Sequence, residues 1–175
     1  RNTVFFHNIQ GGSTITQQLV KTALLSREKS IVRKIKELVL SIQIERVYNK
    51  DQILQIYFNE VPYGGTALGI GAAAELYFGK NVSDLSLAEA ALLAGLPQSP
   101  SAYSPFGKEP QKARERQRYV LYLMETKGWV DKEGKRHFLP HNEAEAARKI
   151  PLEYVKPGKG IKAPHFAFYV KNILE

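Results

Sequence analysis

Two short stretches carry side chains whose types and spacing suit the binding of an anion. In the first, Gly11-Gly12-Ser13-Thr14 runs into Ile15-Thr16-Gln17-Gln18-Leu19-Val20-Lys21. A helix that starts at Thr14 exposes free backbone N–H groups at its N-terminus, where an anion is favoured. Ser13, Thr14, Gln17, Gln18 and Lys21 all lie at or within two turns of that start, and Gln18 and Lys21, three apart, share a face. Hydroxyl, amide and ammonium groups gathered there can grip phosphate oxygens. The same residues also make an ordinary capping box, with Gln17 three after the Thr14 cap and the glutamines in solvent. Taken alone, the stretch leaves both open.

The second stretch is Arg33-Lys34-Ile35-Lys36-Glu37. On a helix, Arg33 and Glu37 are four apart and touch on one face. At about 100° per residue the main apolar stripe centres between Ile35 and Val39, and Glu37 lies roughly 180–200° from it. Leu40 and Ile44 flank the pair, so this face is not purely solvated. A carboxylate beside a guanidinium and edged by aliphatics suits a partly buried functional site. The spacing also fits a surface ion pair worth a few tenths of a kcal/mol, the default expectation for this helix alone.

The elements that must position these groups are helical. A first helix is expected from Thr14 to about Leu25, followed by the polar break Ser26 to Lys29. A long helix is expected from near Ser30 to near Asn49, because Ile31, Ile35, Leu38, Val39 and Ile42 recur at helical spacing. Asp51 is expected to cap the next helix, which ends at Asn59 before Pro62 and the Gly64-Gly65 turn. The Gly- and Ala-rich segment from Ala67 to Phe78 predicts a helix that approaches its neighbours closely, with Gly79 as its stop. Ser86-Leu87-Ala88-Glu89 is a second capping box, whose helix ends at Gly95. A loop with four prolines spans 97–110. A basic helix runs from Pro110 to Lys127, with Gly128 as its stop. A short helix from Glu143 to Ile150 takes Asn142 as its cap, 150–164 is irregular, and His165 to Leu174 presents an apolar face. No stretch alternates with period two over any length, and no repeat is present. The expectation is an all-α bundle of seven to nine helices around one long central helix.

Composition sets the bounds. The 175 residues suit one domain, and about 70% of the unfolded surface can be buried at this size. Hydrophobic residues make up 43% and charged residues 24%, which argues against disorder. The absence of cysteine excludes disulfides, thiolate metal sites and cysteine nucleophiles, and fits an exported protein. The net charge of +8 favours an anionic partner. No apolar run reaches a membrane span, and no signal peptide is visible. The chain opens at Arg1 rather than Met, so it is expected to be a piece of something longer. Nucleic acid is excluded: the basic residues of 110–127 alternate with Glu109, Glu115 and Glu125, as on a solvated face, and no nucleic-acid motif accompanies them.

Gly11 to Lys21 closely resembles a signature of the peptidoglycan glycosyltransferases, the transglycosylase domains of class A penicillin-binding proteins and their monofunctional relatives. Arg33-Lys34-Ile35-Lys36-Glu37 resembles the next signature. Ile53-Leu54-Gln55-Ile56-Tyr57-Phe58-Asn59 through Gly64 or Gly65 resembles the third, continued by Gly69 to Gly79. Leu85 to Pro97, through Tyr103-Ser104-Pro105, looks like the last. Residues 11–106 carry the resemblance densely; the helix after Pro110 and Ala163 to Phe166 carry it more loosely. Four motifs in the family's order and spacing are very specific. Two departures stand out. The family's first signature, Glu-Asp-x-x-Phe-x-x-His-x-Gly, holds the glutamate regarded as the catalytic base and lies upstream of this chain. Nothing in residues 1–10 replaces it, and His7 is a poor candidate. Thr22 stands where the family usually has Asn.

The resemblance implies a lysozyme-like helical fold with head and jaw lobes, spread over residues 1–175 as a single domain. It implies polymerisation of lipid II into glycan strands, with inversion and release of undecaprenyl pyrophosphate, on the extracytoplasmic face of the cytoplasmic membrane. Lys21 and Arg33 are expected to stabilise the departing pyrophosphate, with Ser13, Thr14, Gln17, Gln18 and Lys34 as further substrate contacts. Glu37 matches the second family glutamate, and is expected either to position Arg33 or Lys21 or to hold a divalent cation, Mg²⁺ or Mn²⁺, near the phosphates. The segment Val4-Phe5-Phe6 falls where the family has an apolar patch that dips into the bilayer. A linked transpeptidase domain after Glu175 is compatible with this pattern. Without the upstream base, the chain alone is expected to be inactive or nearly so. The alternatives are a non-catalytic module of the same lineage that grips lipid pyrophosphate or a partner, and a lysozyme-like hydrolase, which needs a different acid motif that is absent.

Overall fold

A computed structural model describes residues 14–24, 30–131 and 133–155. The expected helix over 165–174 and the segment Val4-Phe5-Phe6, with His7 and Ser13, lie outside the described residues. The chain divides into two compact units, Arg1–Glu60 and Val61–Glu175.

The first unit contains three described helices: α1 (Ile15–Ala23), α2 (Ile31–Val47) and α3 (Lys50–Glu60). Their starts are chemically marked. Thr14 and Gln17 form the reciprocal capping box the sequence predicts, with Thr14 Oγ1 accepting from the Gln17 N–H at 3.1 Å. Ser30 caps α2 by accepting from the Arg33 N–H at 3.0 Å. The third helix differs from expectation. Asn49 caps it, not Asp51: Asn49 Oδ1 accepts from the Gln52 N–H, and Gln52 Oε1 accepts from the Asn49 N–H, both at 2.9 Å. Asp51 instead lies in the first turn, where a carboxylate favours the positive end of the helix. Leu19 and Val20 of α1 and Ile53 and Tyr57 of α3 form the buried apolar part of this unit, and α1 packs on both α2 and α3.

The second unit begins with a small antiparallel hairpin, β1 (Pro62–Gly64) and β2 (Ala67–Leu68). It continues through α4 (Ile70–Phe78), α5 (Leu87–Gly95), α6 (Gln111–Thr126), a second hairpin of β3 (Trp129–Val130) and β4 (Arg136–His137), and α7 (His141–Lys149). Short 3₁₀ turns lie at Val82–Asp84 and Leu96–Gln98. The hairpins are additions to the all-α expectation, and β2 explains why α4 starts at Ile70 rather than Ala67. Two-residue strands are too short for alternation to show. α7 starts at His141, two residues before Glu143, with Pro140 in the cap position, so Asn142 is inside the helix and not its cap.

Helix α5 is the centre of this unit, packing on α4, α6 and α7. Its Ala88 and Ala91 meet Leu121 of α6 and Ala144 and Ala147 of α7, with Leu139 completing the cluster. Small side chains let the helix backbones approach. Gln117 of α6 is buried among them and donates to the Ala88 carbonyl at 2.9 Å. Gly64 is required at the first hairpin. Its φ is +100°, and a Cβ there would stand 2.9 Å from both Tyr77 Oη and the Pro100 carbonyl oxygen. Tyr77 Oη donates to the Tyr63 carbonyl at 2.9 Å, closing that corner.

The second capping box is also present, and its Glu89 is buried. Burial pushes the Glu89 carboxyl up, but bonds from Lys80 Nζ, the Ser86 N–H and Ser86 Oγ, each 2.8 Å, outweigh it and hold the carboxyl below its ordinary value. A carboxyl depressed in the folded state stabilises above its unfolded pKa, and that stabilisation is lost as pH falls through the folded value. Glu89→Gln is therefore expected to lower Tm at neutral pH, with the gap from the wild type closing on acidification. Thermal melts between about pH 7 and pH 3 check this; a gap that stays constant with pH contradicts it.

Candidate active site

The site is built on α2 and the start of α1, and its centre is Glu37. This carboxylate is 2% exposed. One oxygen faces Arg33 Nε at 3.2 Å and the other Lys34 Nζ at 2.8 Å. Helix geometry alone brings the three together, with Arg33 at i−4 and Lys34 at i−3 from Glu37. The Arg33 side chain is 17% exposed and that of Lys34 56%. The default expectation of a surface ion pair is thus overturned at the Glu37–Arg33 end, where both side chains are largely buried. A buried carboxylate costs several kcal/mol of desolvation unless it is paired, and both of its oxygens are paired here.

The burial of this face has a corollary. Ile31, Val32, Ile35, Leu38, Val39 and Ile42, the apolar stripe of α2, are 44 to 81% exposed. The polar side of α2 faces inward and the apolar stripe outward, the reverse of an ordinary amphipathic surface helix. Below Glu37, Ser41 is also buried, and its hydroxyl donates to the Glu37 carbonyl at 2.6 Å. One further turn along, Glu45 Oε1 accepts from the buried Thr16 hydroxyl at 2.6 Å, tying α1 to α2. Glu37, Ser41 and Glu45 thus form a polar row along α2.

The other expected residues sort by position. Thr14 and Gln17 spend their side chains on each other in the capping box, so the ordinary capping role holds for both. Gln18 is half-buried, and its Oε1 accepts from the Tyr57 hydroxyl of α3 at 3.3 Å. Lys21 stands exposed in the last turn of α1 and takes part in none of these bonds. The structure therefore brings Arg33, Lys34 and Glu37 together as one cluster, and links Gln18 to α3. Thr16, Ser41, Glu45 and Tyr57 were not singled out from the sequence. The i, i+4, i+8 spacing of Glu37, Ser41 and Glu45 was the available signal for three turns of a polar face.

Beside the Thr16–Glu45 bond opens a cavity of ≈ 700 Å³ lined in part by Ile15, Tyr48, Ile53 and Leu54. Among the described residues, no group of three His, Asp or Glu side chains is placed to hold a metal ion. The guanidinium and the ammonium are held in place on one buried carboxylate, and cations fixed in this way are suited to stabilise an anion.

Comparison with known proteins shows the family. Residues 2–125 match the family model described as transglycosylase. The chain belongs to the transglycosylase family. It is 44% identical over 164 residues to penicillin-binding protein 1A of Aquifex aeolicus, covering 94% of this chain and 21% of that protein. It is 52% identical over 122 residues to penicillin-binding protein 1A/1B of Bacillus subtilis, covering 69% of this chain and 13% of that protein. Among solved structures it is similar to penicillin-binding protein 1A from Haemophilus influenzae, with a TM-score of 0.51 and 26% identity over 95% of this chain and 20% of the other. The chain thus spans about a fifth or less of the length of these relatives. The helical fold expected from the resemblance is the fold of this transglycosylase domain. The family match covers α1 to nearly the end of α6, and the β3–β4 hairpin and α7 lie beyond it.

Because Glu37 is buried and Lys34 is largely solvated, truncating the two has unequal costs. Glu37→Ala removes the buried carboxylate that faces the largely buried Arg33, and is expected to cost about 2–4 kcal/mol of stability. Lys34→Ala is expected to cost less than about 1 kcal/mol. Denaturant titrations of both variants check this, and equal costs would show that Glu37 behaves as a surface group.

Proposed function

We propose that this chain carries peptidoglycan glycosyl transfer. The growing strand on its lipid pyrophosphate is the donor, the 4-hydroxyl of lipid II attacks the anomeric carbon with inversion, and undecaprenyl pyrophosphate leaves. The observation that carries this is the buried Glu37 carboxylate clamped by Arg33 and Lys34 on α2, in a chain that belongs to the transglycosylase family. As the glycosidic bond breaks, negative charge grows on the leaving pyrophosphate, and preorganised cations lower that barrier. Arg33, Lys34 and Lys21 supply those cations. Glu37 does not touch the sugar in this scheme. It holds the two cations of α2 in place.

Ser13, Thr14, Gln17 and Gln18 contribute through the start of α1, Thr14 and Gln17 by fixing its free N–H groups and Gln18 through its amide. Both Glu37 oxygens are engaged by Arg33 and Lys34, which suits a guanidinium and an ammonium and leaves a poor site for Mg²⁺ or Mn²⁺. No step is routed through a metal ion. The acceptor hydroxyl needs a deprotonated carboxylate as base, and the scheme takes it from the glutamate upstream of Gly11.

The exposed stripe of α2 supports contact with a membrane surface. Six large apolar side chains on one helix face, with Lys34, Lys36 and Arg46 on the same helix, are the composition of an interfacial helix. Among the described residues no helix is long and apolar enough to cross a membrane. In this scheme α2 rests on the extracytoplasmic face of the cytoplasmic membrane, in a protein that carries a linked transpeptidase domain.

Binding of a labelled lipid II analogue in dilute detergent at fixed salt tests the site. Lys21→Ala and Arg33→Ala are each expected to weaken binding about tenfold or more, the worth of a lost charge-assisted bond. Binding that both variants keep refutes the placement of the pyrophosphate. In the full-length protein, Glu37→Gln is expected to cut polymerisation severely. A full-length wild type that binds but never polymerises is instead the non-catalytic module.

The membrane contact is tested separately with vesicles containing anionic lipid. The double variant Ile35→Ser, Val39→Ser is expected to partition roughly tenfold less, from the apolar area removed. Unchanged partition means that α2 faces something else.

A further inference from the structure

The cavity of the first unit takes no part in the proposed transfer. It holds ≈ 700 Å³, a volume typical of small-molecule pockets. Ile53 in its wall is 5% exposed, while Ile15, Leu54 and Tyr48 are 37 to 43% exposed. These four side chains present an apolar lining, whose removal from water is favourable. Two charged side chains of opposite sign also line the cavity, Glu45 of α2 and Lys50 of α3. Among the described residues, neither takes part in an ion pair. The Thr16 hydroxyl donates to Glu45 Oε1 at 2.6 Å, which holds the carboxylate at the cavity, and Oε2 keeps its acceptor capacity.

These features select a class of ligand. A neutral apolar molecule leaves both charges unmet. A simple anion meets Lys50 but is repelled by Glu45, and a simple cation the reverse. An apolar body whose head carries both an ammonium and a phosphate satisfies the lining and both charges. Position selects the source of that ligand. Glu45 follows Ile42 by three residues and Leu38 by seven, so it borders them on the surface of α2. Both belong to the outward stripe, at 44% and 51% exposure. The carboxylate therefore stands at the edge of the face that rests on a membrane in the proposed scheme.

We propose that this cavity binds a zwitterionic phospholipid of the membrane surface, its acyl chain against Ile15, Ile53 and Leu54, its ammonium at Glu45 and its phosphate at Lys50. The choice of a lipid rests on the membrane contact proposed above. The cavity draws on α1, α2 and α3, so one bound lipid ties all three helices to the bilayer.

The test is calorimetric titration of the full chain with dihexanoyl phosphatidylethanolamine, kept below its micelle concentration. Salt is held at about 0.15 M, where long-range attraction between exposed charges is screened. Dihexanoyl phosphatidylglycerol, with the same chains and phosphate but no ammonium, is the comparison. The wild type is expected to bind the ethanolamine lipid about fivefold more tightly than the glycerol lipid. Glu45→Gln keeps an oxygen for the Thr16 hydroxyl and removes the charge, and is expected to erase that preference. Lys50→Gln is expected to weaken both lipids about threefold or more. Leu54→Trp fills the cavity from a partly exposed position and is expected to abolish saturable binding, with Tm recorded for each variant to show that it folds. Excess inorganic pyrophosphate is expected to displace neither lipid. Absence of saturable binding in the wild type, binding that Leu54→Trp retains, or a preference that survives Glu45→Gln overturns the assignment. Displacement by pyrophosphate also overturns it, because it places the lipid head on the Arg33–Lys34 cluster. The lipid II analogue judges the transfer and the vesicle assay judges the membrane contact, and neither readout enters this titration, so each reading fails separately.

Discussion

The first unit is organised around one costly event, the burial of the Glu37 carboxylate. Moving a carboxylate out of water costs several kcal/mol, and only good pairing returns it. α2 supplies both partners itself, at i−4 and i−3, so the pairing is complete as soon as the helix forms. The tertiary structure then needs only to cover a carboxylate that is already paired. Leu19 and Val20 of α1 and Ile53 and Tyr57 of α3 provide the apolar contribution. Thr16–Glu45 and Gln18–Tyr57 lock the resulting register from two directions. Remove the Arg33–Glu37 pairing, and the buried face of α2 becomes the least favourable one to bury.

This constraint explains why α2 is the element whose orientation could not be taken from periodicity. Its stripe of Ile31, Ile35, Leu38, Val39 and Ile42 gives the helix and its length to within a few residues. The pattern says that the two faces differ; it does not say which is covered. Hydrophobicity argues for burying the stripe, whereas the structure buries the paired charges. The capping boxes at Thr14 and Ser86 were legible because they are local, completed within four residues of chain. Asn49 was missed as a cap because Asp51, also a good capping residue, lies two positions on. The two hairpins were illegible because strands of two or three residues carry no pattern. Arg33, Lys34 and Glu37 were legible as a group. Tyr57 was not connected with Gln18, because 39 residues separate them and only the packing of α3 on α1 joins them.

Electrostatically the cluster joins two cations to one buried carboxylate. Lys21, Lys36 and Arg46 stand nearby in sequence. A bare pair of cations would repel and wander. One buried carboxylate between two cations fixes their geometry. This is preorganisation: the orientation of the charges is fixed in folding and is not spent when the leaving group departs. The half-exposed Lys34 is the freer member, and the largely buried Arg33 the fixed one; in the proposed scheme the two serve different oxygens of one pyrophosphate.

Under the proposed function, the inverted amphipathicity of α2 matches a lipid-linked pyrophosphate. A lipid pyrophosphate is apolar at one end and anionic at the other, and the junction lies at the bilayer surface. In the proposed arrangement the stripe of α2 rests in the interface, and Glu37 lies on the opposite side of the helix. A helix is about 10 Å across, so Glu37 stands about that far above the apolar boundary. Long basic side chains bridge this gap, because their aliphatic stems run along the helix flank while their charged heads reach the phosphates. Arg33 and Lys34 sit between Glu37 and the stripe, bounded by Val32 and Ile35 on the outward side. A helix that buried its stripe in the protein would present the anion site to open water, away from the depth at which this substrate carries its charge. One helix with its polar face packed inside and its apolar face turned out does both tasks without a second element to keep in register.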